Sequence, residues 1–206
     1  MSIRKTISVV IPTLNCEKNL SQALNSVKWA DEKIVVDMGS IDGTVGVAKK
    51  FGAKVFFRKP ENNNFDNNRL YGMKIAKGDW ILKLDSDEIL SDMLQKEIKN
   101  FLHSDNNNLN GINFLNHIFF FGKEIKHGPI KNNSHEMRMF RQGAWKYFPT
   151  KYHQQITING KIGNFKNYYN HYNYSSISQF IEKTNRYTDF DSKVLSFNFK
   201  LSIILS

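Results

Sequence analysis

The feature that most constrains this chain is the alternation of short β-branched runs with helical periodicity from Ile7 to about residue 102. Strands that alternate with helices are joined by crossovers, and crossovers build a parallel sheet covered on both faces. The expected strands are 7–11, 34–37, 54–57 and 80–85, each short and apolar, as strands buried on both sides are. Between them, Leu20, Leu24, Val27 and Ala30 recur at helical spacing, as do Val45, Ala48 and Phe51, and Leu70, Met73, Ile75 and Ala76 before Gly78 ends the turn. Right-handed crossovers then give a doubly wound α/β sheet. A fourth helix is expected over 92–102 with Met93, Leu94 and Ile98 inward.

The Asn-rich stretch 105–110 breaks this pattern and reads as an exposed loop. Beyond it, 112–121, 137–140 and 155–158 read as strands separated by Gly, Asn and Pro, so this part is expected to be α+β and less regular. Ser175 or Ser176 is suited to cap a last helix carrying Ile177, Phe180, Ile181 and Tyr187.

Charge also divides the chain. Its 29 Lys and Arg against 19 Asp and Glu give +10, but residues 1–119 hold 16 basic and 14 acidic side chains while 120–206 hold 13 and 5. A basic half suits nucleic acid, acidic lipid headgroups or a phosphorylated substrate, or simply a solvated face, and charge alone does not choose among them. The single Cys16 excludes an intrachain disulfide and suits a reducing compartment, so the expected location is the cytoplasm. No apolar run reaches the ~18 residues that cross a bilayer, and the run ending at Pro12 is too short for a signal sequence. The apolar, weakly basic stretch 194–206 suits a bilayer surface or the core equally.

Chemistry concentrates at strand ends. In Leu84-Asp85-Ser86-Asp87-Glu88 an apolar strand closes in alternating carboxylates, and continued strand geometry would aim Asp85 and Asp87 to one side. That pair suits magnesium or manganese, which take one or two carboxylates and complete their shell with water and phosphate oxygens. The same residues could instead cap the next helix. Asp37 closes a second strand and leads into Gly39, Ser40, Asp42 and Gly43, where glycines permit a tight turn. Ligands of open α/β sheets bind outside the carboxyl ends of the strands, so Asp37, Asp85 and Asp87, with Pro12, Thr13 and Asn15 after the first strand, are expected to line one crevice suited to a nucleotide. Arg69 can pair with phosphate or be a surface arginine. The Gly-rich turn lacks the spacing of a P-loop or a dinucleotide fingerprint. His117, His127, His135 and His171 lack zinc-ligand spacing, and no serine or cysteine nucleophile motif occurs.

Together, Ile7–Asn15, Val36–Thr44, Arg69 and Gly78–Glu88 resemble glycosyltransferase family 2, four blocks in register over the first 100 or so residues. The resemblance implies a GT-A fold: a Rossmann-like nucleotide-sugar-binding half at 1–104 and an acceptor-side half at 105–206, forming a single domain that ends in a helix. It also implies inverting transfer from a nucleotide-sugar, usually a UDP-sugar, with Mn2+ or Mg2+. Arg138–Arg141, Tyr152–Gln154, Gly160–Gly163 and His171–Tyr174, before a helix with Lys183 and Arg186, are similar to the lipopolysaccharide core glucosyltransferase branch. That likeness implies a hexose, glucose in this branch, and an anionic glycan or glycolipid acceptor at the inner face of the membrane, with no nucleic acid as partner.

Carried over, Asp37 contacts the nucleoside, Arg69 the uracil or diphosphate, Asp85 the ribose or metal, and Asp87 the metal. Met38 stands where many members have a second acidic residue, and Leu70 where Asn commonly follows the Arg. Gln154 replaces the branch's usual Glu, and an amide cannot accept the proton that inverting transfer removes. The base is therefore expected among His153, Glu88 and Glu136, and a catalytically impaired binding or assembly subunit stands as the alternative function.

Overall fold

The computed structural model describes residues 4–59, 65–104, 108–126, 133–148, 155–174, 176–178, 180–181 and 184–185. The first half runs β1 (Ile7–Thr13), α1 (Glu17–Ser26), β2 (Glu32–Asp37), α2 (Thr44–Lys50), β3 (Lys54–Phe57), α3 (Phe65–Ile75), β4 (Trp80–Lys83), β5 (Glu88–Leu90) and α4 (Asp92–His103). The second runs β6 (Leu109–Phe120), β7 (Lys123–Glu124), β8 (His135–Arg141), β9 (Trp145–Phe148), β10 (Gln155–Ile158) and β11 (Lys161–Tyr174).

One nine-stranded sheet carries both halves, in the order β3-β2-β1-β4-β8-β6-β11-β5, with β7 pairing β6. The first four strands are parallel, as the crossover pattern requires; β8 then joins β4 antiparallel, and β6 and β11 lie parallel to each other. The α/β class and Rossmann-like sheet therefore hold, and the second half is the less regular one, its β6 ladders to β8 and β11 broken by register shifts. Every residue of β1 is buried because helices cover both faces. Leu20 and Leu24 of α1, Ala48 of α2, and Leu94, Ile98 and Leu102 of α4 share one core with Val9, Trp80 and Leu82. Met73 of α3 and its neighbour Ala76 share the other with Val10, Ile34 and Ile81, closed by Trp145, Ile156 and Ile158 of the β9–β10 hairpin.

Three local expectations change. Met93 is 57% exposed, because Ser91 caps α4 through the Leu94 amide and sets a helical phase that turns Met93 outward. Strand β4 ends at Lys83, with one more ladder bond from Leu84 N to Val10 O, so Asp85 and Asp87 occupy a turn rather than alternate strand positions. The 14-residue β11, largest of the second-half strands, was not expected; its sequence KIGNFKNYYNHYNY has too little apolar alternation to announce a strand. Of the last helix, Ile177, Phe180 and Ile181 are exposed. Tyr187, Lys183, Arg186 and the stretch 194–206 lie outside the described residues.

Candidate active site

Two loops at the carboxyl edge of β1 and β2 are stitched together. Met38 N donates to Thr13 O, Asn15 N to Ser40 Oγ, and Ile41 N to Asn15 Oδ1, each at 2.9 Å. Asn15 takes a left-handed φ of 48°, and Gly39 one of 104°, where a side chain would be strained. Asp37 organises this turn. Its Oδ2 accepts from Gly39 N and Ser40 N at 3.0 Å, and its Oδ1 from Ser40 Oγ at 2.6 Å and Thr13 Oγ1 at 3.2 Å. At 2% exposure, with both oxygens engaged, Asp37 holds the loop rather than offering an open carboxylate edge to a nucleoside. Pro12 and Thr13 are likewise buried.

Arg69, on α3, bridges two acids: Nη1 to Asp66 Oδ1 and Nη2 to Asp85 Oδ1, both at 2.6 Å. Burial pushes the Asp85 carboxyl up, but the Arg69 and Arg138 guanidiniums outweigh it and hold Asp85 well below the usual carboxylate range. The turn after β4 is closed by Glu88, whose amide donates to Asp85 O at 3.1 Å while its Oε2 accepts from Asp85 N at 2.8 Å. Asp87 then projects beside β11: Tyr172 N donates to Asp87 O at 2.9 Å, and His171 Nε2 lies 3.5 Å from Asp87 Oδ1.

Beneath this edge lies a buried polar network. Arg138, on β8, contacts Glu88 and Glu136 and donates to the Tyr169 hydroxyl at 2.5 Å. The Tyr169 hydroxyl in turn donates to Glu136 Oε2 at 3.0 Å, and Asn116 Nδ2 to Glu136 Oε1 at 2.9 Å. Burial raises the Glu88 carboxyl against the pull of Arg138. In Glu136 burial also opposes ionisation, but Arg138 and Tyr169 win and lower its pKa. Neither fits the role of general base expected of it. Glu88 has no exposed surface for an acceptor to reach, and Glu136 is an engaged carboxylate of reduced basicity. The third expected base, His153, and Gln154 beside it lie outside the described residues.

The sequence assigned no role in this site to His171, Lys83 or Tyr169. His171 meets Asp87 only through the antiparallel register that sets His171 opposite Glu88, a pairing no local spacing announces. Lys83 carries a readable signal: a charge on the same face of β4 as the fully buried Ile81. Burial, reinforced by Arg138 and Arg69, lowers its pKa to about 8. Lys83 lines a cleft with Asp66, Arg69 and Leu70 of α3 and with Tyr147 and Ile156 of the hairpin.

No group of three or more His, Cys, Asp or Glu among the described residues is arranged to hold a metal. Asp87 with His171 is a two-residue donor set, and Asp85 is already the counter-ion of Arg69. Such a set fits an octahedral cation that takes its remaining ligands from phosphate and water, not a closed all-protein cage.

Comparisons with known proteins find relatives along most of this chain. An uncharacterized glycosyltransferase of Rickettsia conorii is 30% identical over 94% of this chain and 72% of its own length. One of Rickettsia typhi is 31% identical over 93% and 68%. The Staphylococcus aureus poly(ribitol-phosphate) beta-N-acetylglucosaminyltransferase TarP is 31% identical over 51% of this chain and 35% of its own. Among solved structures, residues 1–349 of S. aureus TarS match with a TM-score of 0.48 and 24% identity, covering 66% of this chain and 47% of that one. The model for "Glycosyl transferase family 2" matches residues 8–165, a span that takes in β1, the Asp37 turn, Arg69 and the Asp85–Asp87 turn, and the chain belongs to that family.

Proposed function

We propose that this glycosyltransferase moves a hexose, glucose on the branch resemblance, from a UDP-sugar to an anionic glycan or glycolipid. The acceptor is a lipopolysaccharide core or a related lipid-linked, cell-surface glycan, met at the cytoplasmic face of the membrane. The observation that carries the donor half is the meeting, at one edge of the sheet, of three separately encoded elements: the Asp37 turn, the Arg69–Asp85 pair and the Asp87–His171 pair. Ligands of open α/β sheets bind at this edge. The acceptor half draws on the basic excess of residues 120–206 and on the relative TarP, whose name records a phosphate-rich acceptor.

In this reading the Asn15–Ser40–Asp37 lattice fixes the floor of the nucleoside pocket, so little is reorganised on binding. Arg69, kept in place by Asp66 and Asp85, presents positive charge to the diphosphate. Asp87 and His171 would hold the divalent cation, which when bound neutralises charge on the departing diphosphate. The acceptor's proton is taken by a base outside the Glu88–Arg138–Glu136 network.

The experiment is calorimetric titration of UDP and UDP-glucose into the purified protein with manganese and again in excess chelator. Metal-dependent binding of both is expected. Binding of neither would overturn the UDP-sugar reading.

A further inference from the structure

Lys83 is an unusual residue for its place. On β4 it follows Ile81 on the same face, where the neighbours are Met73 of α3 and Phe140 of β8, both buried, so the strand's pattern asks for an apolar side chain. The acids around it are already engaged: Asp66 and Asp85 with Arg69, Glu88 and Glu136 with Arg138. Among the described residues no hydrogen bond or ion pair reaches the Lys83 ammonium, which shares its cleft with the Arg69 guanidinium. Lys83 is only partly buried, and a structural role at this position needs only the apolar stem, which methionine would supply. Its cleft also holds Arg69, opening between α3 and the β9–β10 hairpin, one residue before the ladder bond that leads into the Asp85 turn.

We propose that Lys83 is a phosphate contact of the donor site, its ammonium taking a non-bridging oxygen of the nucleotide's diphosphate from the side of α3, with Arg69 as the second cation. This rests on the UDP-sugar reading. It adds a residue on the strand itself, outside the Asp85–Asp87 turn, that distinguishes a diphosphate from a nucleoside.

The test is titration of UDP, UMP, uridine and inorganic pyrophosphate into the wild-type chain, Lys83→Met and Lys83→Arg, with magnesium and in chelator, each variant first checked by thermal melting. Lys83→Met keeps the stem and removes the charge. It should weaken UDP and pyrophosphate by about 10- to 100-fold, the worth of a charge-assisted hydrogen bond, leave uridine unchanged, and be largely rescued in Lys83→Arg. Wild-type affinity for UDP in Lys83→Met would overturn the proposal. A loss confined to ribitol 5-phosphate, run as a further ligand, would move the contact to an acceptor phosphate and overturn the donor assignment. Should the wild type bind pyrophosphate in a Lys83-dependent way but not UDP, the phosphate contact stands and the UDP-sugar reading falls. Should it bind none of the ligands, both fall. If Lys83→Met does not fold, Lys83→Gln is judged by the same outcomes.

Discussion

Arg138 meets Glu88 at two points, Nη2 to Oε1 at 2.8 Å and Nη1 to Oε2 at 3.0 Å, and the Glu88 side chain has no solvent exposure. The pair ties β8 to the turn that carries Asp85 and Asp87, so the geometry of the acidic turn is set from a strand some 50 residues later. Arg138→Met leaves a carboxylate buried without its cation and should cost about 3–5 kcal/mol in urea unfolding. The double variant Arg138→Met, Glu88→Leu should cost clearly less than the sum of the two single changes. Strict additivity would mean that the pair is not coupled.

Asp87 and His171 reach the same point from different elements, the β4–β5 turn and β11. If they hold the divalent cation, Asp87→Asn should erase the difference in UDP affinity between magnesium and chelator. It should also lower turnover by about 100-fold, the scale of losing one electrostatic stabiliser of developing charge. His171→Ala should do the same more weakly, since phosphate and water supply the remaining ligands. A metal response unchanged in both variants would remove them from the site.

The parallel half of this fold is legible because its strands are short and apolar and its helices carry clean periodicity; Lys54–Phe57 is found where the pattern put it. The carboxylates were visible for the same reason, as polar residues ending apolar runs. What the pattern could not supply was long-range register. β11 pairs with β6 and β5 over 14 residues rich in Asn, Lys and Tyr, and its partners are scattered along the chain. Tyr169 and His171 enter the site through that pairing alone, and Glu88 passes from base candidate to buried anchor once Arg138 arrives from β8.

Gly78 illustrates a residue whose position was readable and whose reason was not. It keeps a right-handed or extended backbone, unlike the positive-φ glycines at 39, 52, 122, 143 and 160. A Cβ here would fall 2.6 Å from Ser8 N and 2.8 Å from Ile7 C, backbone atoms of the central strand that cannot swing aside. Gly78→Ala should therefore destabilise by about 1–3 kcal/mol, the usual cost of overpacking. Gly46, exposed within α2 with nothing within 4 Å of its Cβ position, is the control. Gly46→Ala should stabilise by about 0.5–1 kcal/mol. Denaturant midpoints moving in the same direction would contradict the steric account.

Lys83 gives the stability of the protein a pH dependence of defined sign. Burial and the neighbouring Arg138 and Arg69 lower its pKa from 10.5 to about 8 in the folded chain. Below pH 8 it is charged in both states, and the fold bears the penalty of holding the ammonium partly buried beside two guanidiniums. Between 8 and 10.5 the unfolded chain keeps the proton that the folded chain has released, so stability rises with pH across this window. Above it both states are neutral. The gain has an upper bound of about 3 kcal/mol from the size of the shift. Urea unfolding at pH 7.5 and pH 10 of the wild type and of Lys83→Met separates this group from every other that titrates there. Relative to the variant, the wild type should become more stable at pH 10. Parallel behaviour of the two chains would mean that folding leaves the proton affinity of Lys83 unchanged.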